Sequence, residues 1–391
     1  MKKKKILLVY TKMVIGGSTT SLLSILNTFD YNTYDITLLL LDDSGDLQHL
    51  INPKVRVIVV KYPSKLIRIL SPLSWFSCLL AEILSRNKGN RLIKAQINST
   101  NLALSMPRLN EEFDIAISFL EFWPQRYVAN NVIAKQKISW IHIDPYEAGL
   151  IPKYSNKYLS KVDRIVLVSK SCKENFDKLY PSLSGKSVVI ENILDARIIQ
   201  QLSKEPLSDF HINDRKKNLV SVCRINLASK GLDRVVFAMK KIKDSGTDIE
   251  SMIDWYIIGD GPDYDRFKSM IIESGLNNIY LLGKQLNPYK FEKLMHYFIL
   301  PSRYEGKPMA ITESQMIGLV PIVCNYSSAS EQIINRVDGI IVANNDESII
   351  EPLKDILDDS IPYAKYRHNI MSKDYSNTHI IQQIYNLFDN R

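Results

Sequence analysis

LPSRYEGKPMAITESQMIGLVP, residues 300–321, packs a strand end, a glycine turn and a helix start into one stretch. The apolar run Tyr297-Phe298-Ile299-Leu300 breaks at Pro301 and turns through Tyr304-Glu305-Gly306-Lys307. It restarts as a helix over 308–317 with Pro308 in the first turn, where a proline's missing N–H has no intrahelical acceptor to lose. Another apolar run, 320–324, follows. Strand, turn, helix and strand in that order form the repeating unit of a parallel sheet with helical crossovers. The turn also presents free backbone N–H groups and the positive end of a helix dipole, which is a seat for an anion. Glu305 stands in the turn and Glu313 lies eight positions on. Eight residues are about 2.2 helical turns, so a helix would carry both on roughly one face. Carboxylates there accept from hydroxyls, so the stretch suits a ligand with phosphates in its middle and hydroxyls on either side, as in a nucleotide sugar. A capped surface helix with ordinary acidic residues has the same pattern.

The same rhythm extends in both directions. Strands are expected at 218–223, 255–258, 279–282, 297–300 and 320–324, with helices over 232–243, 263–273, 288–295 and 308–317 between them. Residues 191–218 lose the rhythm and turn polar, which marks a domain boundary. Before it, apolar runs at 6–10, 34–41, 55–60, 115–119, 136–141, 164–168 and 187–190 read as strands. Several show no polar alternation, as in parallel strands covered on both faces. Helices at 19–27 and 171–179 lie among them, and 375–391 reads as a last helix with Ile380, Ile381, Ile384, Leu387 and Phe388 on one face. The fold class is therefore α/β, with two Rossmann-like domains: residues 1–195, joined by the helix 375–391, and residues 196–374.

In a doubly wound sheet, ligands bind outside the carboxyl ends of the strands. Arg224 closes the first strand of the second domain and Lys230-Gly231 precedes its first helix, so both belong at the edge where Glu305 and Pro308 arrive. A diphosphate would use Arg224 as a bidentate partner and Lys230 as a point charge; two surface cations are the plainer reading. Gly259-Asp260-Gly261-Pro262 needs no role beyond a tight turn. In the first domain Gly16-Gly17 opens the first helix and permits close backbone approach, with Ser18 or Thr19 placed to cap it. His142 ends the strand at 136–141, where a ligand-facing role competes with a structural one. The loop lacks the G-x-G-x-x-G pattern of a nicotinamide-dependent oxidoreductase. Asp263-Tyr264-Asp265 is a D-x-D match, better explained as a helix start. No obligatory metal or other cofactor is expected.

The chain has 391 residues, 45% of them apolar and 24% charged, as in a soluble globular protein. Its four cysteines show no C-x-x-C spacing, and no stretch approaches the roughly 20 apolar residues of a spanning helix. A formal net charge of +8 points to anionic partners. Much of it clusters at 61–94, where basic residues flank Trp75, Phe76 and an apolar run. That is the composition of a helix lying on an anionic bilayer, or of a solvated face beside a core helix. No nucleic-acid-binding motif is present.

Taken together, GDGP, the Arg224–Lys230 spacing, EGKPMAITE and the following G-x-V-P resemble the retaining glycosyltransferases of family four. The resemblance spans the chain through Gly16-Gly17, WIHID, VSKS and Glu191-Asn192-Ile193-Leu194-Asp195, and is strongest over 220–339. It implies the GT-B fold, with two domains facing across a cleft, domain closure, and a last helix crossing back to the first domain. It further implies that the first domain takes the acceptor and the second a UDP- or GDP-linked sugar. Arg224 and Lys230 would hold the donor diphosphate and Glu313 the ribose hydroxyls. Glu305 would contact the donor sugar, Gly17 would cover the diphosphate, and His142 would face the sugar near the reacting carbon. Gly16, Gly306, Lys307 and Pro308 complete the implied donor contacts, and Lys307 departs from the apolar residue many members carry there. The implied reaction is hexose transfer, with retention, to a glycan or polyprenyl-linked acceptor in bacterial capsule, exopolysaccharide or O-antigen assembly. The implied location is the cytoplasm, at the inner face of the membrane. A nucleotide-sugar epimerase on the same fold and a non-catalytic carbohydrate-binding paralogue are the alternatives.

Overall fold

The computed structural model describes residues 2–60, 102–103, 106–194, 196–207 and 210–389. The basic apolar segment 61–94 lies outside the described residues. The chain divides into two compact units, Met1–Ile193 with Thr378–Arg391, and Leu194–Asn377.

The first unit is built on a seven-stranded parallel sheet in the order β3-β2-β1-β4-β5-β6-β7. Its strands are β1 (Lys4–Tyr10), β2 (Tyr34–Leu40), β3 (Arg56–Val59), β4 (Glu112–Ser118), β5 (Ile133–Ile141), β6 (Arg164–Leu167) and β7 (Ser187–Val189). All seven coincide with the apolar runs of the sequence. The reason is visible in β1, where Ile6, Leu7, Leu8 and Val9 are all sealed from solvent because both sheet faces are covered. The helix Ile381–Asp389 is shorter than expected and follows a 3-10 turn, Thr378–Ile380. It buries Ile384, Leu387 and Phe388 on this unit. Tyr385 stacks on Tyr34 with ring centroids 5.0 Å apart, and Gln136 Nε2 donates to the Leu387 carbonyl at 3.0 Å. Each of those apolar side chains is worth about 2 kcal/mol of burial.

The second unit carries a six-stranded parallel sheet, β10-β9-β8-β11-β12-β13. Its strands are β8 (Lys217–Val222), β9 (Ile253–Ile258), β10 (Ile279–Gly283), β11 (Tyr297–Leu300), β12 (Val320–Cys324) and β13 (Ile340–Val342). β13 and the helices Ile350–Leu357 and Tyr363–Met371 were not anticipated, since three apolar residues show no period. The helix expected over 288–295 shrinks to Tyr289–Glu292, and that expected over 308–317 begins at Met309. Pro308 is its N-cap with extended backbone (φ −67°, ψ 116°) instead of a first-turn residue. In both units the strand order reverses beside the first strand, between β1 and β4 and between β8 and β11. That reversal opens a crevice at the carboxyl edge of a doubly wound sheet.

Candidate functional site

In the second unit the loops after β8 and β11 flank the reversal point. The β8 loop contains a helical turn, Leu227–Lys230, capped by the Asn226 side chain, which accepts from Ser229 N at 3.3 Å. Asp263, the first acid of the D-x-D match, is buried and accepts from Leu227 N at 3.0 Å. Its carboxylate therefore secures this turn, while the helix it precedes starts at Tyr264. Gly259 and Gly261 press against the same loop: a Cβ on either would stand 1.9 Å and 2.2 Å from the carbonyl oxygens of Cys223 and Ile225. The GDGP turn is thus a packing requirement of the Arg224 loop.

The two loops are bolted together. Arg303 N donates to the Ser229 carbonyl at 2.8 Å. The Arg303 guanidinium reaches the Leu227 carbonyl at 2.7 Å and both oxygens of Asp233 at 2.9 and 2.7 Å. Arg234, 5% exposed, adds bonds to Pro301 O and Asn344. Neither arginine nor Asp233 was singled out in the sequence, where nothing separates them from surface charges. Gly231 closes the turn at φ 63°, and a Cβ there would lie 2.2 Å from the Pro301 carbonyl oxygen. Gly231→Ala should cost about 3 kcal/mol in urea unfolding, from left-handed strain plus the displaced contact. A cost of about 1 kcal/mol or less, no more than the left-handed backbone penalty alone, would mean that this contact yields freely.

This framework brings Lys230 and Glu305 together, with Nζ and Oε1 2.5 Å apart. Ser302 Oγ donates to the same oxygen at 2.6 Å. Both side chains are largely buried, 21% and 11% exposed. Burial opposes the charge on Lys230, but the Glu305 carboxylate outweighs it and holds the ammonium above its ordinary pKa. Arg224, in contrast, is exposed and makes no hydrogen bond or ion pair among the described residues. Gly306 is buried and Lys307 half-buried.

Glu305 and Glu313 do not share a helix face, because the helix starts after Glu305. Glu313 projects from Met309–Ile317 and is 8% exposed. Burial pushes its carboxyl up to about 7, against a hydrogen bond from Tyr289, and its Oε1 has no partner among the described residues. Glu292 is 1% exposed with a partnerless Oε2, and burial and then the charge of Glu313 raise it well above the carboxylate range. Nothing local marks it in the sequence, where residues 289–295 (YKFEKLM) mix apolar residues with two lysines.

In the first unit, Gly16 is the N-cap of the helix Gly17–Thr28, and no side chain caps that helix. The Ser18 and Thr19 hydroxyls bond Tyr10 OH instead, at 2.8 and 2.9 Å, tying the loop to the end of β1. Nothing lies within 4 Å of where a Gly16 Cβ would stand, so no packing contact requires glycine there. His142 follows β5. Its ring meets Phe119 edge-on at 4.8 Å and lies parallel to Trp140 at 6.4 Å. Both ring nitrogens are shielded from solvent and make no hydrogen bond of normal geometry. Burial pulls the imidazole down to about 4, against weak help from the Phe119 carbonyl and Asn192, so it is neutral near pH 7. Asp144 is fully buried, accepting from Tyr146 N and Glu147 N at 3.0 Å and from Asn175 at 2.8 Å. Among the described residues no helix is long and apolar enough to cross a membrane, and no group of three or more His, Cys, Asp or Glu could hold a metal.

The family model described as Glycosyl transferases group 1 matches residues 204–374. The glycosyltransferase MJ1059 of Methanocaldococcus jannaschii is 28% identical over 206 residues, covering 50% of each chain. The Escherichia coli UDP-Gal:alpha-D-GlcNAc-diphosphoundecaprenol alpha-1,3-galactosyltransferase is 34% identical over 125 residues, 31% of this chain and 30% of that one. The chain spans about half the length of the first of these relatives and less of the second. Anabaena Alr3699/HepE, solved with UDP-glucose, superposes with a TM-score of 0.69 at 14% identity, over 99% of this chain and 100% of that one. The fold is that of the GT-B glycosyltransferases, and residues 204–374 are similar to the family described as Glycosyl transferases group 1.

Proposed function

We propose that the protein is a retaining hexosyltransferase that moves a sugar from a UDP- or GDP-linked donor to a glycan or polyprenyl-linked acceptor. The observation that carries this reading is the Lys230–Glu305 pair, held by interlocked loops at the carboxyl edge of the second sheet, with an exposed Arg224 on the β8 loop that makes no ion pair among the described residues. In this reading the second unit seats the donor. The diphosphate takes Arg224, Lys230 and the N–H groups that open the helix after Pro308, with Gly306 and Lys307 alongside. Glu313 accepts from the ribose, and Glu305 from the sugar once the diphosphate draws Lys230 away. The first unit takes the acceptor and contributes Gly16, Gly17 and a neutral His142 near the reacting carbon. Cations already in place meet the leaving group's charge, the usual main source of such catalysis, and no obligatory metal is invoked. The undecaprenol-linked substrate of the E. coli relative supports a role in bacterial surface-polysaccharide assembly, and the basic, apolar composition of 61–94 supports contact with the inner face of the cytoplasmic membrane. The epimerase alternative has less support, because Asp144 and Glu121, the carboxylates it would draw on, accept from backbone N–H groups.

A thermal-shift series with UDP, GDP and their sugars tests this. A nucleotide at a hundredfold excess over its Kd stabilises by about 2.7 kcal/mol, a rise of several degrees. Failure of both nucleotides to move the melting temperature would overturn the donor site. Arg224→Ala should weaken the active nucleotide about tenfold to a hundredfold, the worth of a charge-assisted hydrogen bond, with the melting temperature of the free protein unchanged.

A further inference from the structure

We infer that Glu121 is a positioning residue for His142, holding the backbone that aims the imidazole. This rests on the transferase reading above, in which His142 faces the donor sugar. Glu121 follows β4 and is 7% exposed. Its Oε1 accepts from the backbone N–H groups of both His142 and Ile143, the latter at 3.1 Å. Those are the first two residues after β5 ends at Ile141, where the sheet ladder no longer supplies acceptors. A buried carboxylate is tolerated only when it is well hydrogen-bonded, and here one oxygen collects two backbone donors from a neighbouring strand's loop.

The same short loop grips the ring itself, since Phe119 meets it edge-on. Immediately after Glu121, Phe122 sits at φ 71°, in the left-handed region that favours glycine. Its N–H donates to Gln125 Oε1 at 3.2 Å as the helix Trp123–Asn131 begins. A strained turn thus separates Glu121 from that helix. The ring direction follows from its backbone and its aromatic neighbours Phe119 and Trp140, with weak contributions from the Phe119 carbonyl and Asn192. Glu121 is the side chain that sets that backbone. Its commitment to two backbone N–H groups argues against a role as a catalytic acid.

The test compares Glu121→Gln, which keeps an accepting oxygen, with Glu121→Met, which keeps length and loses the acceptor. The readouts are turnover of UDP-glucose or GDP-mannose, affinity for UDP or GDP, and hydrogen exchange at the His142 and Ile143 amides. Glu121→Met should lower kcat about 10- to 100-fold, as misplacement of a catalytic group does, with nucleotide affinity unchanged and both amides deprotected. Glu121→Gln should restore protection and most of the turnover. On a His142→Ala background, Glu121→Met should change turnover little, because non-additivity marks residues that act as one unit. Wild-type turnover in Glu121→Met, or its full loss added on top of His142→Ala, would overturn the inference. Should Glu121→Met fail to fold, Glu121→Asp, one methylene short of both donors, takes its place with the same expectations. A wild-type chain that binds neither nucleotide sinks the transferase reading instead, and leaves the exchange result legible.

Discussion

Replacing Lys230 with methionine should lower stability by about 3 kcal/mol, because removing one partner of a buried ion pair strands the other charge. Glu305, 11% exposed, would keep only the Ser302 hydroxyl. Under the proposed function, donor turnover should also fall about 100- to 1,000-fold, the range seen when one preorganised charge-stabilising donor is removed. The double variant Lys230→Met/Glu305→Gln separates the two effects. It removes the stranded charge and should regain most of the stability, while turnover stays low. Urea unfolding and a donor-turnover assay on the three variants read this out. A double variant no more stable than Lys230→Met would show that the pair is not the source of the loss. A Lys230→Met enzyme with normal turnover would remove Lys230 from the donor site.

Glu313 gives the second large effect, and it depends on pH. Its folded-state pKa of about 7 stands above the ordinary 4.5 because burial penalises the charge. Below about pH 4.5 both folded and unfolded states hold the proton, and stability from this group is full. As pH rises to 7 the unfolded chain gives up its proton first and stability is lost. At 1.36 kcal/mol per pH unit, the gap between 4.5 and 7 comes to about 3 kcal/mol above pH 7. Glu313→Gln should therefore stabilise the protein by about 2–3 kcal/mol at pH 8 and by little at pH 4. Glu292 is shifted in the same direction, so some slope remains in the variant. Denaturation of both proteins at the two pH values is the check; a difference that does not change with pH would exclude burial of a charge as the cause. The same variant should bind nucleotide about tenfold more weakly if Glu313 accepts from the ribose, since hydrogen bonds to charged groups are worth about 1.5–3 kcal/mol. Stability gained with binding lost is the expected signature of a functional carboxylate held in an apolar setting.

The path from sequence to fold was short wherever burial was two-sided. β1, β4 and β12 read directly as apolar runs, because a parallel strand covered on both faces tolerates few polar residues. Elements of one or two turns were harder. The turn Tyr289–Glu292 and the three-residue β13 carry too few residues to show a period, and only neighbours already in place give them a partner.

For the site, the sequence alone determined which residue types arrive at one sheet edge. Once strand order in a doubly wound sheet is accepted, Arg224, Lys230 and Glu305 must arrive on neighbouring loops, since the first and fourth strands of such a sheet are adjacent. Tertiary structure decided what each of them does there. Lys230 meets Glu305 because Gly231, Arg303 and Asp233 lock the two loops, and Arg303 and Asp233 have no distinguishing local pattern. The Ser18 and Thr19 hydroxyls serve Tyr10 instead of capping their helix. Glu313 and Glu292 are raised in pKa by burial, and Glu121 gains its role from two backbone donors twenty-one and twenty-two residues away. Periodicity in a sequence reports which residues leave water. Hydrogen-bond partners and desolvation are set by residues distant along the chain, so they exist only once the chain has folded.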